Sequence, residues 1–164
     1  MTRELVLYAD ESVGSGPHFS NFYGGCVVES KALRGVTTRL EARKTELNLH
    51  GEVKWQKVTA NYLAKYDALI EAFFAEVAAN AVKVRIMFTQ NMHVPVGLTP
   101  RQHDDRYFIL YYQFIKHAFG LRYAGLPDSA TRIRLHFDQI PDTFERREQF
   151  RAYLAALTRI SHDA

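Results

Sequence analysis

The feature that most constrains this chain is a nearly continuous apolar run at residues 4–9, rich in strand-forming side chains. A strand with one wet face alternates apolar and polar residues, so a run without alternation is typical of a strand covered on both faces. It predicts a central strand that ends at 10–12. Residues 19–29 are predicted to form a second strand, paired with the first as a hairpin. Gly24 and Gly25 in that strand indicate a bulge or a close backbone approach.

The rest of the chain alternates between helical and strand spacing. Helices are predicted to begin after Ser30, Thr59, Thr99 and Asp142. The first two of these residues are candidate N-caps, and the last two open capping boxes. Two further strands are predicted at 82–89 and 131–138. Strands that alternate with helices predict a single α/β domain over residues 1–164, with a mixed sheet flanked by helices.

Composition narrows the class of protein. The chain is 47% hydrophobic and 24% charged, which is typical of a folded globular domain. The single cysteine, Cys26, excludes a disulfide framework and a multi-cysteine zinc site, and we expect it to be a buried, inert thiol. The longest unbroken apolar run, at 107–112, is much shorter than the ~20 residues of a transmembrane helix. We therefore expect a cytoplasmic protein with no membrane partner.

Arginine supplies 14 of the 21 basic side chains, and the formal net charge is +3. Because the guanidinium fork suits phosphate oxygens, this excess is compatible with an acidic partner such as nucleic acid. Five arginines around the last predicted strand and helix could form one basic patch: Arg132, Arg134, Arg146, Arg147 and Arg151. The alternative is that each of them lies on an ordinary solvated face.

Asp10 and Asp138 are the leading candidates for chemistry, because each ends a predicted strand and precedes a turn signal. In open α/β sheets, functional groups gather at the carboxyl ends of strands. Two carboxylates brought together there would repel each other unless a cation lay between them, and oxygen ligands alone select Mg²⁺ or Mn²⁺. The alternative is that each aspartate is only a favoured turn residue. For the pair, the sequence leaves both interpretations open.

A second group of candidates lies in a short segment at 52–55, which is predicted to be extended. Alternation places Glu52 and Lys54 on one side of this segment. There the carboxylate could complete a metal shell and the ammonium could bind a phosphate. The alternative is an exposed ion pair on an edge, with Trp55, the only tryptophan, as a core anchor.

Several short motifs occur in a recognisable order. Tyr-Ala-Asp-Glu-Ser at 8–12 precedes a glycine-containing loop and Phe-Tyr-Gly-Gly-Cys-Val-Val at 22–28. Glu-Val-Lys-Trp at 52–55, Arg-Tyr at 106–107 and Leu-His-Phe-Asp at 135–138 follow. Together they resemble the motifs of a widespread bacterial and phage family, domain of unknown function 3800.

The resemblance implies a ribonuclease H-like fold with acidic residues where a metal-dependent nuclease or transposase would have them. On this interpretation, Asp10 and Asp138 would bridge two Mg²⁺ or Mn²⁺ ions roughly 3.5–4 Å apart. Glu52 would be a third ligand, and Lys54 would contact the scissile phosphate. The expected activity is that of a nuclease or nucleic-acid phosphodiesterase.

The chain departs from the family pattern in two places. Val13 stands where a glycine is usual, and the sequence has no element like the family's later Gln-x-Ala-Asp. We therefore expect a C-terminally shortened domain in which catalysis is weak or absent. The alternative function is a non-catalytic module that binds nucleic acid or protein within a mobile element or defence system.

Overall fold

The computed structural model describes residues 3–121, 131–138 and 144–156 of the protein. Within these residues the centre is a four-stranded sheet with the strand order β3-β2-β1-β4. The strands are β1 (Arg3–Ser15), β2 (Phe19–Glu29), β3 (Val82–Gln90) and β4 (Thr131–Phe137). β2 runs antiparallel to β1 and β3, whereas β4 runs parallel to β1. The predicted α/β class, the mixed sheet and the first hairpin are confirmed.

Helices lie on both faces of the sheet. They are α1 (Ser30–Glu46), α2 (Leu63–Ala78), α3 (Pro100–Asp104), α4 (Arg106–Ala118) and α5 (Phe144–Ala156). α1 and α2 pack on one face, and α4 and α5 pack on the other. None of the helices in the described part of the chain has the length and apolar character needed to cross a membrane.

β1 joins two separate apolar cores, because successive side chains of a strand point to opposite faces. The aromatic core, on the α4 and α5 side, consists of Leu5, Leu7, Ala9, Tyr23, Val27, Phe108, Tyr111, Phe114, Ile115 and Phe150. The aliphatic core, on the α1 and α2 side, consists of Val6, Val28, Val36 and Val82. Val6 and Leu7 have no exposed surface, which confirms the predicted coverage of the first strand on both faces.

The aliphatic core covers only the half of its face that lies near the start of β1. Along β3, Val82 is buried, whereas Ile86 on the same face is 67% exposed and Phe88 is 45% exposed. Tyr8 on β1 is also partly exposed. The apolar side of the predicted strand at 82–89 is therefore buried at one end and open at the other.

Two predicted helix starts were wrong. α1 begins at Ser30, with Glu29 in the N-cap position. The Ser30 side chain instead forms a hydrogen bond with the Glu4 carboxylate on β1, so it does not cap the helix. α2 has Tyr62 rather than Thr59 at its N-cap. Before α2, the Tyr62 N–H instead donates to the Thr59 carbonyl at 2.9 Å, which forms a turn that precedes the helix.

The capping box at Thr99 is confirmed. The Thr99 hydroxyl accepts from the Gln102 backbone N–H at 3.2 Å, and Gln102 Oε1 accepts from the Thr99 N–H at 2.9 Å. It opens only the five-residue helix α3, and α4 follows after Asp105. The second predicted capping box begins outside the described residues.

Candidate functional site

Asp10 and Asp138 occupy neighbouring positions on β1 and at the end of β4. The parallel register runs as far as Ala9 opposite Phe137, and the two aspartates come next. The predicted adjacency of the two aspartates on neighbouring parallel strands is confirmed, but the prediction that Asp10 ends its strand was wrong. β1 itself does not end at Asp10 but continues to Ser15, because β2 still pairs with it there.

Both aspartates line an open cleft of about 680 Å³ on the half of the sheet face that α1 and α2 leave uncovered. The cleft is lined by Tyr8, Ala9, Asp10, Gly24, Gly25, Cys26, Phe73, Val84, Ile86, His136, Phe137 and Asp138. On its floor the rings of Tyr8 and His136 stack, with centroids 4.8 Å apart and planes inclined by 16°. This volume lies within the range of known ligand sites, so the cleft is the candidate functional site.

The adjacent glycines of β2, Gly24 and Gly25, affect the cleft in different ways. A Cβ on Gly24 would meet no atom within 4 Å, so its absence leaves the floor open. A Cβ on Gly25 would lie 2.8 Å from the Tyr8 carbonyl oxygen, so no larger residue fits without displacement. Gly25 is therefore the predicted close approach. The bulge lies elsewhere in β2, around Asn21, whose φ is 51°.

Lys54 lies within electrostatic range of the two aspartates. Its Nζ is 2.9 Å from a carboxylate oxygen of Glu52, which confirms that these side chains share one side of their segment. The hydrogen bond with Glu52 raises the pKa of Lys54 most strongly, and the charges of Asp138 and Asp10 raise it further. Lys54 is therefore an ammonium at neutral pH, within electrostatic range of all three acids.

The predicted three-carboxylate metal shell is not assembled. Among the residues that the structure describes, no group of three or more His, Cys, Asp or Glu side chains could hold one ion. Glu52 is paired with Lys54 instead of joining Asp10 and Asp138. Two carboxylates still suit Mg²⁺, which keeps several waters and usually takes only one or two carboxylates from the protein. The carboxylate oxygens of Asp10 and Asp138 are therefore the donors left for a cation at this site.

Trp55 is not a core anchor. It is 84% exposed and begins a short 3₁₀ turn, Trp55–Lys57, that follows the irregular segment carrying Glu52 and Lys54. The alternative interpretation of this segment was therefore correct about the ion pair, which is exposed. It was wrong about the indole of Trp55, which is exposed as well. The segment is not a strand of the sheet.

Cys26 is a partly buried thiol on the cleft floor. Burial raises its pKa, and a hydrogen bond with the Tyr8 backbone only partly offsets this effect. The thiolate is the reactive form of cysteine, so the raised pKa leaves less of Cys26 in that form, and the thiol is partly rather than fully buried.

A second set of polar side chains, Glu11, Tyr107 and Tyr111, lies on the opposite face of the sheet from Asp10. Glu11 follows Asp10 along β1, so alternation turns it toward the aromatic core. There the buried hydroxyls of Tyr107 and Tyr111 have no hydrogen-bond partner in the described structure. Burial, followed by the Glu11 carboxylate, raises the pKa of both tyrosines above the usual range. The sequence analysis missed this group, although two successive acids at the end of a strand were the available signal.

The predicted basic patch is divided between two surfaces. Arg132 and Arg134 lie on β4, on the cleft face by alternation, and Arg134 is 3.0 Å from Glu4. Arg147 and Arg151 lie on α5, which packs on the other face. The side chain of Arg146 lies outside the described residues.

Comparison with known proteins gives no relative. No protein-family model matches the chain, and neither a curated protein nor a solved structure matches it. The resemblance to a ribonuclease H-like family therefore rests on the motifs quoted above.

Proposed function

We propose that the protein is a ribonuclease H-like, metal-dependent phosphodiesterase that acts on nucleic acid. The observation that carries this proposal is the position of Asp10 on β1 beside Asp138 at the end of the parallel strand β4, with both aspartates lining the cleft. Carboxylates gathered at the carboxyl ends of strands are a common arrangement for ligand and metal sites in α/β proteins. The nearby Lys54 adds a cation suited to a phosphate.

Each of these side chains has a defined role in the proposed site. A bound Mg²⁺ or Mn²⁺ would supply Lewis acidity toward a phosphoryl oxygen and an activated water. Asp10 and Asp138 would hold that cation through carboxylate oxygens. Lys54 would contact a non-bridging oxygen of the scissile phosphate, and Glu52 would keep the Lys54 ammonium oriented through their 2.9 Å contact.

A second candidate function is a non-catalytic module that binds nucleic acid or protein. The observation that favours it is the position of Glu52, which pairs with Lys54 and leaves only two carboxylates for an ion. Each lost ligand weakens metal binding, so we expect cleavage by this chain to be weak even if the phosphodiesterase proposal holds.

Thermal unfolding with and without Mn²⁺ tests the metal site. A ligand that binds only the native state stabilises it by about 2.7 kcal/mol at 100 times its Kd. We expect Mn²⁺ to raise the Tm, EDTA to reverse the rise, and Asp10→Asn and Asp138→Asn to abolish it. Asp67→Asn is the matched control, because Asp67 is an exposed aspartate on α2 that does not line the cleft. An equal rise in all three variants would place the ion elsewhere.

A cleavage assay separates the two candidate functions. The substrates are single- and double-stranded DNA and RNA, with Mn²⁺ or EDTA, and the variants are those of the unfolding experiment. Slow, Mn²⁺-dependent cleavage that is lost in Asp138→Asn supports the phosphodiesterase. Binding with no cleavage at any metal concentration supports the non-catalytic module.

A further inference from the structure

The cleft continues into an exposed aromatic surface. Phe22 lies on the same face of β2 as Gly24, and its ring centroid is 5.7 Å from that of Phe88 on β3. Phe19 also packs on Phe88, at 4.9 Å, because the bulge around Asn21 brings it to this face. All three phenylalanines are more than one third exposed, so flat ring surfaces lie open beside the cleft.

A row of basic side chains on β4 leads along the same face of the sheet toward Asp138. Arg132, Arg134 and His136 alternate with inward residues and share the face of Asp138. Side chains two residues apart along a strand are separated by roughly 6.6 Å. Arg132 is exposed, and the side chain of Arg134 is 54% exposed although it contacts Glu4. The row therefore offers positive charge to a ligand on the outer edge of the sheet.

We propose that the cleft binds single-stranded nucleic acid, with bases stacked on the open rings and phosphates along the row from Arg132 to His136. This inference rests on the proposed function and names its substrate class. Aromatic platforms beside a basic track are how proteins bind single strands, because every unpaired base has a free face for stacking. In a duplex the base faces are already covered by their neighbours, so the rings of Phe22 and Phe88 would have nothing to contact.

The charges distinguish a nucleic acid from an apolar peptide as the occupant. A peptide that needed only the rings would have no use for Arg132 and Arg134, which continue the row of side chains on β4 beyond His136 and Asp138. A phosphate backbone uses both parts of the surface. Trp55, the residue after Lys54, is 84% exposed.

Trp55 also provides the readout, because it is the only tryptophan in the chain. The experiment titrates Asp10→Asn protein in EDTA with a 12-nucleotide DNA, the RNA of the same sequence, the corresponding duplex DNA, and inorganic phosphate. We expect both single strands to change the Trp55 fluorescence and to bind at least about tenfold more tightly than the duplex. Phosphate alone at the same concentration should give no change.

Two matched pairs of variants locate the bound strand. Phe22→Ala should weaken single-strand binding about tenfold, whereas Phe74→Ala, at an exposed ring on α2 outside the cleft, should not. Arg132→Ala should reduce the magnitude of the negative slope of log affinity against log salt by about 0.7, whereas Arg147→Ala on α5 should leave the slope unchanged. Gly24→Val, whose Cβ would meet no atom within 4 Å, is a second test that obstructs the cleft floor without truncating a ring.

The outcomes separate this inference from the proposed function. Tighter binding of the duplex, or unchanged single-strand binding by Phe22→Ala and Gly24→Val, would overturn the inference even if Mn²⁺-dependent cleavage were found. Failure to bind any nucleic acid at low salt would also overturn it, and would favour a protein partner. Single-strand binding with the expected variant pattern, but without Mn²⁺ stabilisation or cleavage, would support the inference and refute the phosphodiesterase.

Discussion

On the α4 and α5 side of the sheet, Tyr111, Phe114 and Ile115 have no exposed surface, whereas on the α1 and α2 side Ile86 is two-thirds exposed. Both faces belong to the same strands, and both are lined mainly by apolar residues. The first face is closed by the aromatic rings of α4 and α5. The second is closed only over the aliphatic core, and its open half holds the candidate site.

The two helices on the open face are held together differently from those on the closed face. Arg39 on α1 donates two hydrogen bonds to Glu76 on α2, at 2.6 and 2.7 Å. On the closed face, α4 and α5 meet through rings, as between Phe108 and Phe150 at 5.2 Å. Apolar burial is therefore concentrated on the closed face, and we expect most of the stability to come from it. The open face is covered less, which leaves Asp10 accessible.

The largest expected effect is a truncation on the closed face. Phe114→Ala should lower the free energy of unfolding by about 3–5 kcal/mol, because it leaves a cavity in a fully buried site. Ile86→Ala on the open face should cost at most about 1 kcal/mol, because most of that side chain is already in water. Urea unfolding of the two variants measures the difference. Equal losses would mean that the open face is covered in solution.

Gly24 and Gly25, which are adjacent in β2, should show the same contrast between the open and the closed face. Gly25→Ala should destabilise the protein by about 1–3 kcal/mol, since its Cβ would lie 2.8 Å from a backbone oxygen. Gly24→Ala should instead stabilise it by about 0.5–1 kcal/mol, because alanine loses less chain entropy and its Cβ meets open space. Thermal unfolding of the pair checks both signs. A destabilised Gly24→Ala would contradict an open cleft floor.

Acid should weaken the contact between α1 and α2. The hydrogen bonds from Arg39 are the largest cause that holds the pKa of Glu76 below its ordinary value of 4.5. A lowered carboxyl pKa stabilises the folded state above the ordinary value, and this contribution is lost as the pH falls through the lowered one. We expect Glu76→Gln to be less stable than the wild type at neutral pH and to approach it in acid. Urea unfolding at several pH values measures this; a pH-independent difference would show that charge is not the cause.

The smallest expected effect concerns hydroxyls in the aromatic core. Tyr111→Phe should be neutral or stabilising by about 1 kcal/mol, because it removes a buried hydroxyl that has no hydrogen-bond partner in the described structure. Tyr23→Phe should cost about 0.5–1.5 kcal/mol, because the Tyr23 hydroxyl donates to the Tyr107 carbonyl at 3.3 Å. Thermal unfolding of the two variants makes the comparison. A clear loss in Tyr111→Phe would show that its hydroxyl has a partner in solution, with Glu11 the nearest candidate.

Much of the fold followed from patterns that span a few residues. The apolar run at 4–9, the hairpin and the capping box at Thr99 were predicted correctly, because strand alternation and cap hydrogen bonds are local. The adjacency of Asp10 and Asp138 also followed, since each comes directly after a strand signal. Ser30 was assigned wrongly as a cap because its hydroxyl bonds Glu4, a residue distant in sequence.

Local sequence was enough to predict which residues alternate along each strand and that Asp10 and Asp138 lie beside each other on neighbouring strands. Only the tertiary structure decided that Ile86 and Phe88 stay exposed, that Trp55 lies outside the core, and that Glu52 pairs with Lys54. The physical reason is that the periodicity of apolar residues and their secondary-structure propensities specify only the face to which each side chain points. Whether another element covers that face depends on where α1 and α2 come to rest, and no local pattern encodes that position.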